Sequence, residues 1–493
     1  MEGIKRRLGL AWPKYLAAEI AACGETLSAK NAFLSYGFYL AALLVCARLF
    51  DLRPLFIGVL ALMGIFFVPQ VILGYVEHRY QLHRFSDVTQ YMEQMLYSFR
   101  ENKKILKSWM EMEPLFADRP IGAAIGRAKE RLIYGESEES AFRALQEIEK
   151  DYPCEKLHLM HQFLLHVETI GGTFTDSVEL LQEDRARWVE RVLELEKERT
   201  RKKNHVFLSI IASILLCVVM ERLLPAQVDT RGFVLTQVVT TVMLVLDMLL
   251  YVWAQSMVRV DWLCPKENIT ESEVDAYLDY VETYDPGMAL AHALPGLFVP
   301  TLLCMSAMFL KIPMLYVSAA VTVPVVLGRP HLRYVNYKKA LRRQMQTRFS
   351  HWLMEVALTV QTNTVRNAIR STFPSAPAVL KPQLSRLIAG FDADPTSIQP
   401  YLEFGKEYAL PQMQATMKML YAISRGTGLD PAGQIREIID RSNTLLDKEK
   451  RQDNEEKMAG LYAMFLVPQL ISGGKILVDM CLFFVLFFQN IHA

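Results

Sequence analysis

Long apolar runs alternate along the chain with longer stretches in which charged residues recur and apolar ones fall at helical spacing. A helix needs roughly 20 mostly apolar residues to cross a bilayer. Residues 32–49, 55–76, 233–257 and 289–310 meet that need most plainly. Residues 206–224 fit if Glu221 and Arg222 sit at the interface, and 312–328 form a further run set off only by Lys311. Near the end, 458–472 and 476–489 are short and separated by Gly473, Gly474 and Lys475, which predicts a helical hairpin. The pattern predicts an all-α, polytopic membrane protein with about eight transmembrane helices arranged in pairs.

Two hydrophilic stretches, 77–205 and 329–457, each lie between two spans before and two after, and by these boundaries they are equally long. In the first, Val88, Met92, Met95 and Leu96 mark one helix face, and Pro120 opens a helix carrying Ile121, Ile125 and Leu132. Gly135 interrupts, and Ser137 leads into Ala141, Leu145 and Ile148. Pro153 opens a helix with Leu157, Met160, Leu164 and Leu165 that stops at Gly171-Gly172, and Asp176 caps a long last helix running to the membrane. The second stretch repeats the layout. A helix around Phe349 breaks at Pro374 and Pro377, residues 380–387 give another, and 411–424 carry Met413, Met417, Leu420 and Ile423. Gly426 and Gly428 end that helix, Asp430 takes the N-cap position with Pro431 after it, and a final helix passes Ile435, Ile438 and Ile439. A repeat unit this long predicts duplication of a whole membrane-plus-bundle module.

The predicted organisation is an amphipathic N-terminal segment at 1–31, transmembrane pairs at 32–76, 206–257 and 289–328, and a terminal hairpin at 458–493. Helical bundles occupy 77–205 and 329–457, with an acidic linker at 258–288 that carries Glu267, Glu271, Glu273, Asp275, Asp279, Glu282 and Asp285. Basic residues mark the cytoplasmic side of membrane helices. They cluster at Lys5–Arg7, at His78 to Arg84, at Arg199 to Lys203, at Arg329 to Arg343 and at Lys448 to Lys457. The opposite turns carry few, so both bundles are expected in the cytoplasm and the chain in a plasma (inner) membrane.

Composition narrows this further. Lys+Arg number 54 against Asp+Glu 53, and a net charge of +1 argues against a nucleic-acid binder. The seven cysteines have neither metal nor redox spacing and read as small hydrophobes. The segment after Lys5, Arg6 and Arg7 holds Pro13, Lys14 and Glu19, unlike the unbroken apolar core of a secretory signal.

The residues Gly135-Glu136-Ser137 with Ala141, the Ile170-Gly171-Gly172 turn leading to Leu180-Leu181, and the Gly426-Thr427-Gly428 turn with Ile438-Ile439 together resemble the type II secretion system F domain. That family comprises inner-membrane platform proteins of type II secretion, type IV pilus and tight-adherence pilus machines. The likeness covers both bundles and the adjoining spans, and looks most like two fused tight-adherence subunits. Family members usually have a glycine after the first bundle helix, where this chain has Arg100-Glu101-Asn102 and Thr362-Asn363-Thr364. The second copy also has Asp394-Pro395-Thr396-Ser397 in place of the Gly135-x-Ser137 turn. The resemblance implies a platform that couples a cytosolic secretion ATPase to insertion or extraction of pilin-like subunits, surrounded by membrane lipids and compatible with a homo-oligomer. It implies no enzyme activity, no cofactor and no nucleic-acid partner.

The chemistry searched for agrees with that expectation. Gly473-Gly474-Lys475 lacks the spacing of a phosphate loop, and neither G-x-S-x-G nor H-E-x-x-H occurs. His158 and His161 share a helix face while His166 points away, and one helix supplies no carboxylate to complete a metal set, so they read as partly exposed bundle histidines. Asp247 and Asp479 stand inside apolar runs, where a carboxylate is costly and a functional candidate by default. Pairing of these carboxylates with each other or with a partner is the favoured expectation. The competing reading is a transporter or permease with regulatory bundles.

Overall fold

The computed structural model describes residues 13–24, 29–135, 140–171, 174–223, 230–264, 271–310, 313–360, 363–408, 410–426 and 464–489, together with Glu437, Asp440 and Glu455. Among them all regular structure is helical. Among the described residues four helices are long and apolar enough to cross a membrane by length and composition, and Phe33–Leu49 is a shorter apolar helix. Contacts divide the fold into two compact units, one drawn from 1–169, 181–265 and 450–493, the other from 170–180 and 266–449.

The first unit begins with α1 (Pro13–Ala22), α2 (Ala29–Leu49) and α3 (Pro54–Asn102). Helix α3 starts with Pro54 in its first turn, where the missing N–H costs nothing, and carries Pro69 inside its apolar half. Its 49 residues extend roughly 70 Å without a break, from the apolar run into the bundle. It ends at Lys103, whose φ of 55° is left-handed and whose N–H donates to Phe99 O. This left-handed residue ends the helix, and α4 (Ile105–Met112) follows after Lys104.

Helices α5 (Pro120–Ile133), α6 (Ser140–Asp151) and α7 (Glu155–Ile170) complete the bundle, with α8 (Thr175–Leu223) leading back toward the apolar region. The predicted faces are withdrawn from solvent: Val88, Met95, Leu96, Ile105, Ile121, Ile125, Ile148, Leu157 and Leu164 are all buried. Each such side chain contributes roughly 1.5–3 kcal/mol by leaving water. Helix α8 also has 49 residues and passes from bundle to apolar run without interruption.

The apolar part of this unit adds α9 (Val234–Val258). Small residues let backbones approach here. The Tyr39 ring lies where a side chain at Gly64 would sit, and its hydroxyl donates to Leu60 O at 2.6 Å. Gln255 lies against Gly74 and donates to Val71 O at 2.9 Å. Residues 464–489, the last helix, run as one continuous helix within this unit. The expected hairpin is therefore corrected. Gly473 and Gly474 stay helical, because backbone groups in an apolar medium are satisfied only by their own helix.

In the second unit α10 (Glu271–Glu282) and α11 (Pro286–Ala293) lead to α12 (Phe298–Leu310) and α13 (Pro313–Val360). Helix α13 continues through Pro324 and Pro330 into a core formed with α14 (Val365–Ser371), α15 (Lys381–Ala393), α16 (Gln399–Glu403) and α17 (Pro411–Ser424). That core joins Leu341, Phe349 and Trp352 to Ile369, Leu384, Tyr401 and Met417. The acidic stretch expected as a linker instead packs α10 along α13. Tyr277 stacks on Tyr337 with centroids 4.0 Å apart, and Tyr284 on Tyr334 at 4.2 Å. The acidic residues occupy the other faces of α10, which is why composition alone suggested a tether.

Candidate functional site

The apolar helices of the first unit enclose ionisable side chains that the sequence placed elsewhere. Lys475, expected at a turn, lies within the last helix and is 1% exposed. Its Nζ donates to Asp479 Oδ2 at 2.6 Å, one helical turn away, and to Glu221 Oε1 on α8. Glu221 is 5% exposed and Asp479 4%, so all three groups are removed from solvent together. The Phe50 ring presents its face to Nζ at 5.3 Å, a cation–π contact that closes the remaining side. Glu221, expected at the interface, is thus drawn inward by the lysine.

One ammonium faces two carboxylates here. Glu221 Oε2 and Asp479 Oδ1 are buried without a hydrogen-bond partner among the described residues. By formal charge the cluster has one carboxylate more than it has cations, and an uncompensated buried charge costs several kcal/mol. A polar cap adjoins it: Arg231 donates to Glu221 O at 3.2 Å and pairs with Asp51 at 3.3 Å. Gln237 fastens the same corner, donating to Asp51 O and Arg231 O and accepting from the Arg53 N–H at 3.0 Å.

Asp247 behaves differently. It sits midway along α9, 2% exposed, and neither carboxylate oxygen has a hydrogen-bond partner among the described residues. It lines a cavity of about 1110 Å³ with walls from α1, α2, α3, α8 and α9. The two carboxylates singled out from sequence therefore have separate surroundings, and it is Lys475 that holds Asp479.

A second polar cluster lies in the bundle. Glu149 on α6 accepts from His158 Nδ1 and His161 Nδ1, each at 2.7 Å. His161 Nε2 lies 3.1 Å from the Tyr91 hydroxyl, and Trp109 Nε1 donates to the same hydroxyl at 3.0 Å. Gln162 Nε2 lies 2.8 Å from His158 Nε2. One proton arrangement satisfies the chain: each imidazole is neutral, donates through Nδ1 and accepts through Nε2. Burial pushes the Glu149 carboxyl up, but the two imidazole hydrogen bonds, joined by the positive charge of the histidines once acid protonates them, outweigh it and bring it down to about 2. Burial holds His161 below its ordinary value against the opposing pull of Glu149, and raises the Tyr91 hydroxyl. His161 is 1% exposed, which corrects the expectation of a partly exposed residue. The missing carboxylate comes from α6, and among the described residues no group of His, Cys, Asp and Glu could hold a metal ion.

Of the remaining sequence candidates, Gly135, Gly171 and Gly426 follow the ends of α5, α7 and α17. A side chain at Gly135 would press on Arg131 O and Ser140, and Ala141 is half-buried on α6. Gly171 and Gly426 have φ of +76° and +65°, the left-handed conformation a helix end requires. Ser137, Gly172, Gly428 and Asp430 lie outside the described residues. Lys475 with Asp479 was detectable as an oppositely charged i, i+4 pair, a sign that this segment is one helix. Neither family models, curated proteins nor solved structures give a match to this chain.

Proposed function

We propose that this protein is a non-enzymatic membrane platform of a secretion or pilus machine, in which the bundles receive force from a cytosolic ATPase and pass it to the spans. The observation that carries this reading is the continuity of α3 and α8, each 49 residues long and each joining an apolar run to the bundle core. A push on the bundle moves both spans as levers, because a continuous helix does not absorb displacement as a flexible loop would. Pilin-like subunits would be the cargo, by the resemblance of the glycine turns at Gly135, Gly171 and Gly426.

The distribution of basic residues supports placing both bundles in the cytoplasm of an inner-membrane protein. With the last helix uninterrupted, the proposed topology has seven crossings instead of eight. Cysteines introduced at exposed bundle positions, such as Tyr134, should react with an impermeant maleimide only after the membrane is opened. For the function itself, a Gly-Pro pair inserted in α3 between apolar run and bundle should abolish filament assembly or secretion while the protein still accumulates in the membrane. Assembly that survives the insertion sinks the platform reading.

Asp247 supports a second reading, a permease, since an unpaired carboxylate within an apolar segment suits a pathway. Asp247→Asn should abolish uptake under that reading and leave piliation or secretion intact under the first.

A further inference from the structure

The cavity beside Asp247 is an amphiphile's container with one electrostatic preference. Its walls are largely apolar and aromatic, including Phe38, Phe67, Phe207 and Tyr251. Phe38 is 76% exposed, so the cavity opens sideways from the helix packing, where lipid would lie. The volume of about 1110 Å³ lies just above the range of small-molecule sites, roughly 300–1,000 Å³. The polar groups that line it differ in what remains available. The Tyr39 hydroxyl is engaged by Leu60 O and the Gln255 amide N–H by Val71 O. The unpartnered atoms on the α9 wall are all acceptors: both oxygens of Asp247 and Oε1 of Gln255.

We infer that this cavity binds a bulky lipophilic organic cation, with Asp247 as its counter-ion and the aromatic walls packing its apolar groups. A carboxylate held in an apolar setting attracts positive charge strongly, and Phe and Tyr faces add cation–π attraction. A hard metal ion is disfavoured, because it requires several oxygen ligands in exchange for its water and this wall supplies one carboxylate. A neutral acyl chain would fill the space but leave Asp247 without a partner. Arg79 and Lys203 also line the cavity. Gln255 and Asp247 are eight residues, about 12 Å, apart on α9. Gln255 bonds at Val71, and Arg79 lies a similar distance further along α3, so this basic end is remote from Asp247 and discourages entry of a cation there. The bilayer side is the route left.

The inference stands on the cavity alone and survives or fails independently of the platform reading. Full-length protein in nanodiscs is tested by equilibrium dialysis against tetraphenylphosphonium and its isosteric anion tetraphenylborate, with empty nanodiscs subtracted. The cation should bind roughly tenfold or more tightly than the anion, and Asp247→Asn should bring the two within about twofold. Asp247→Glu should keep the preference, and a melting temperature near wild type for each variant separates loss of the site from loss of fold. Equal binding of both ions to the wild type would mark a lipid-filled groove and overturn the inference. So would a preference unchanged in Asp247→Asn, or no saturable binding. A Leu-rich single-span peptide with one central Lys that binds where the phosphonium shows no preference would assign the groove to a partner helix and equally overturn it.

Discussion

In the bundle, Glu149 takes hydrogen bonds from two neutral imidazoles, and the chain continues through Tyr91 to Trp109 until nearly every polar atom is used. Between the apolar helices, Glu221 and Asp479 instead close on the single ammonium of Lys475, and one oxygen of each is left over. The first cluster is held by matched donors and acceptors, the second by opposite charge. The difference follows from surroundings. The buried bundle cluster uses neutral donors that adjust their tautomer, whereas between the apolar helices the Lys475 ammonium would be costly alone and is met by a carboxylate from its own helix and one from α8.

The largest effect should therefore come from removing that counter-charge. Lys475→Met leaves two carboxylates buried and should lower stability by about 3–5 kcal/mol, read as a fall in melting temperature of the purified protein. The triple variant Lys475→Met, Glu221→Gln, Asp479→Asn should recover most of it, since exchanging a whole ionic group for neutral ones is often nearly neutral. A triple variant as unstable as the single one breaks the comparison.

The bundle cluster should cost less. Glu149→Ala strands the Nδ1–H of buried His161, while half-exposed His158 can turn to water, and should destabilise by on the order of 1–3 kcal/mol in the same melts. Tyr91→Phe removes the acceptor of Trp109 and the partner of His161, and about 0.5–1.5 kcal/mol is expected.

Acid should separate the clusters further. Burial lowers His161, so the unfolded chain takes up a proton at higher pH than the folded one, and stability declines once pH drops below about 6.5. Glu149 is depressed to about 2, so its contribution is complete above the ordinary carboxylate range and is lost as pH falls toward that value. Both act in one direction, and the bundle weakens on acidification. His161→Asn, whose amide can replace the Nδ1 donor, should flatten the decline between pH 7 and pH 5 in denaturation measured across pH. An unchanged slope would show that other groups set it.

The smallest effect concerns the turn that delivers Trp109 to this cluster. Lys103 pays the strain of a left-handed residue, and Lys103→Gly should gain up to about 1 kcal/mol in thermal melts. A loss would mean that the lysine side chain stabilises more than its backbone strain costs.

Much of the bundle was legible in the sequence, because the 3.6-residue period fixes which residues share a face and Gly and Pro mark where faces end. Met413, Met417 and Leu420 in α17, and Leu157, Met160 and Leu164 in α7, are buried where that period puts them. The candidate site was less legible. Gly473 and Gly474 signal a turn in water, yet both remain helical here. His161 looked exposed because its partners stand on α3 and α6, not on its own helix.

By itself the sequence determined the apolar runs, the helical faces, the glycine turns and the presence of carboxylates where they are costly. Only the tertiary structure decided their partners. Glu221 meets Lys475 across 254 residues of chain, Asp479 shares that ammonium, and Asp247 faces a cavity. Periodicity is a property of neighbours along one helix, while the choice of opposing charge depends on which helices pack together, and short-range spacing carries no record of that.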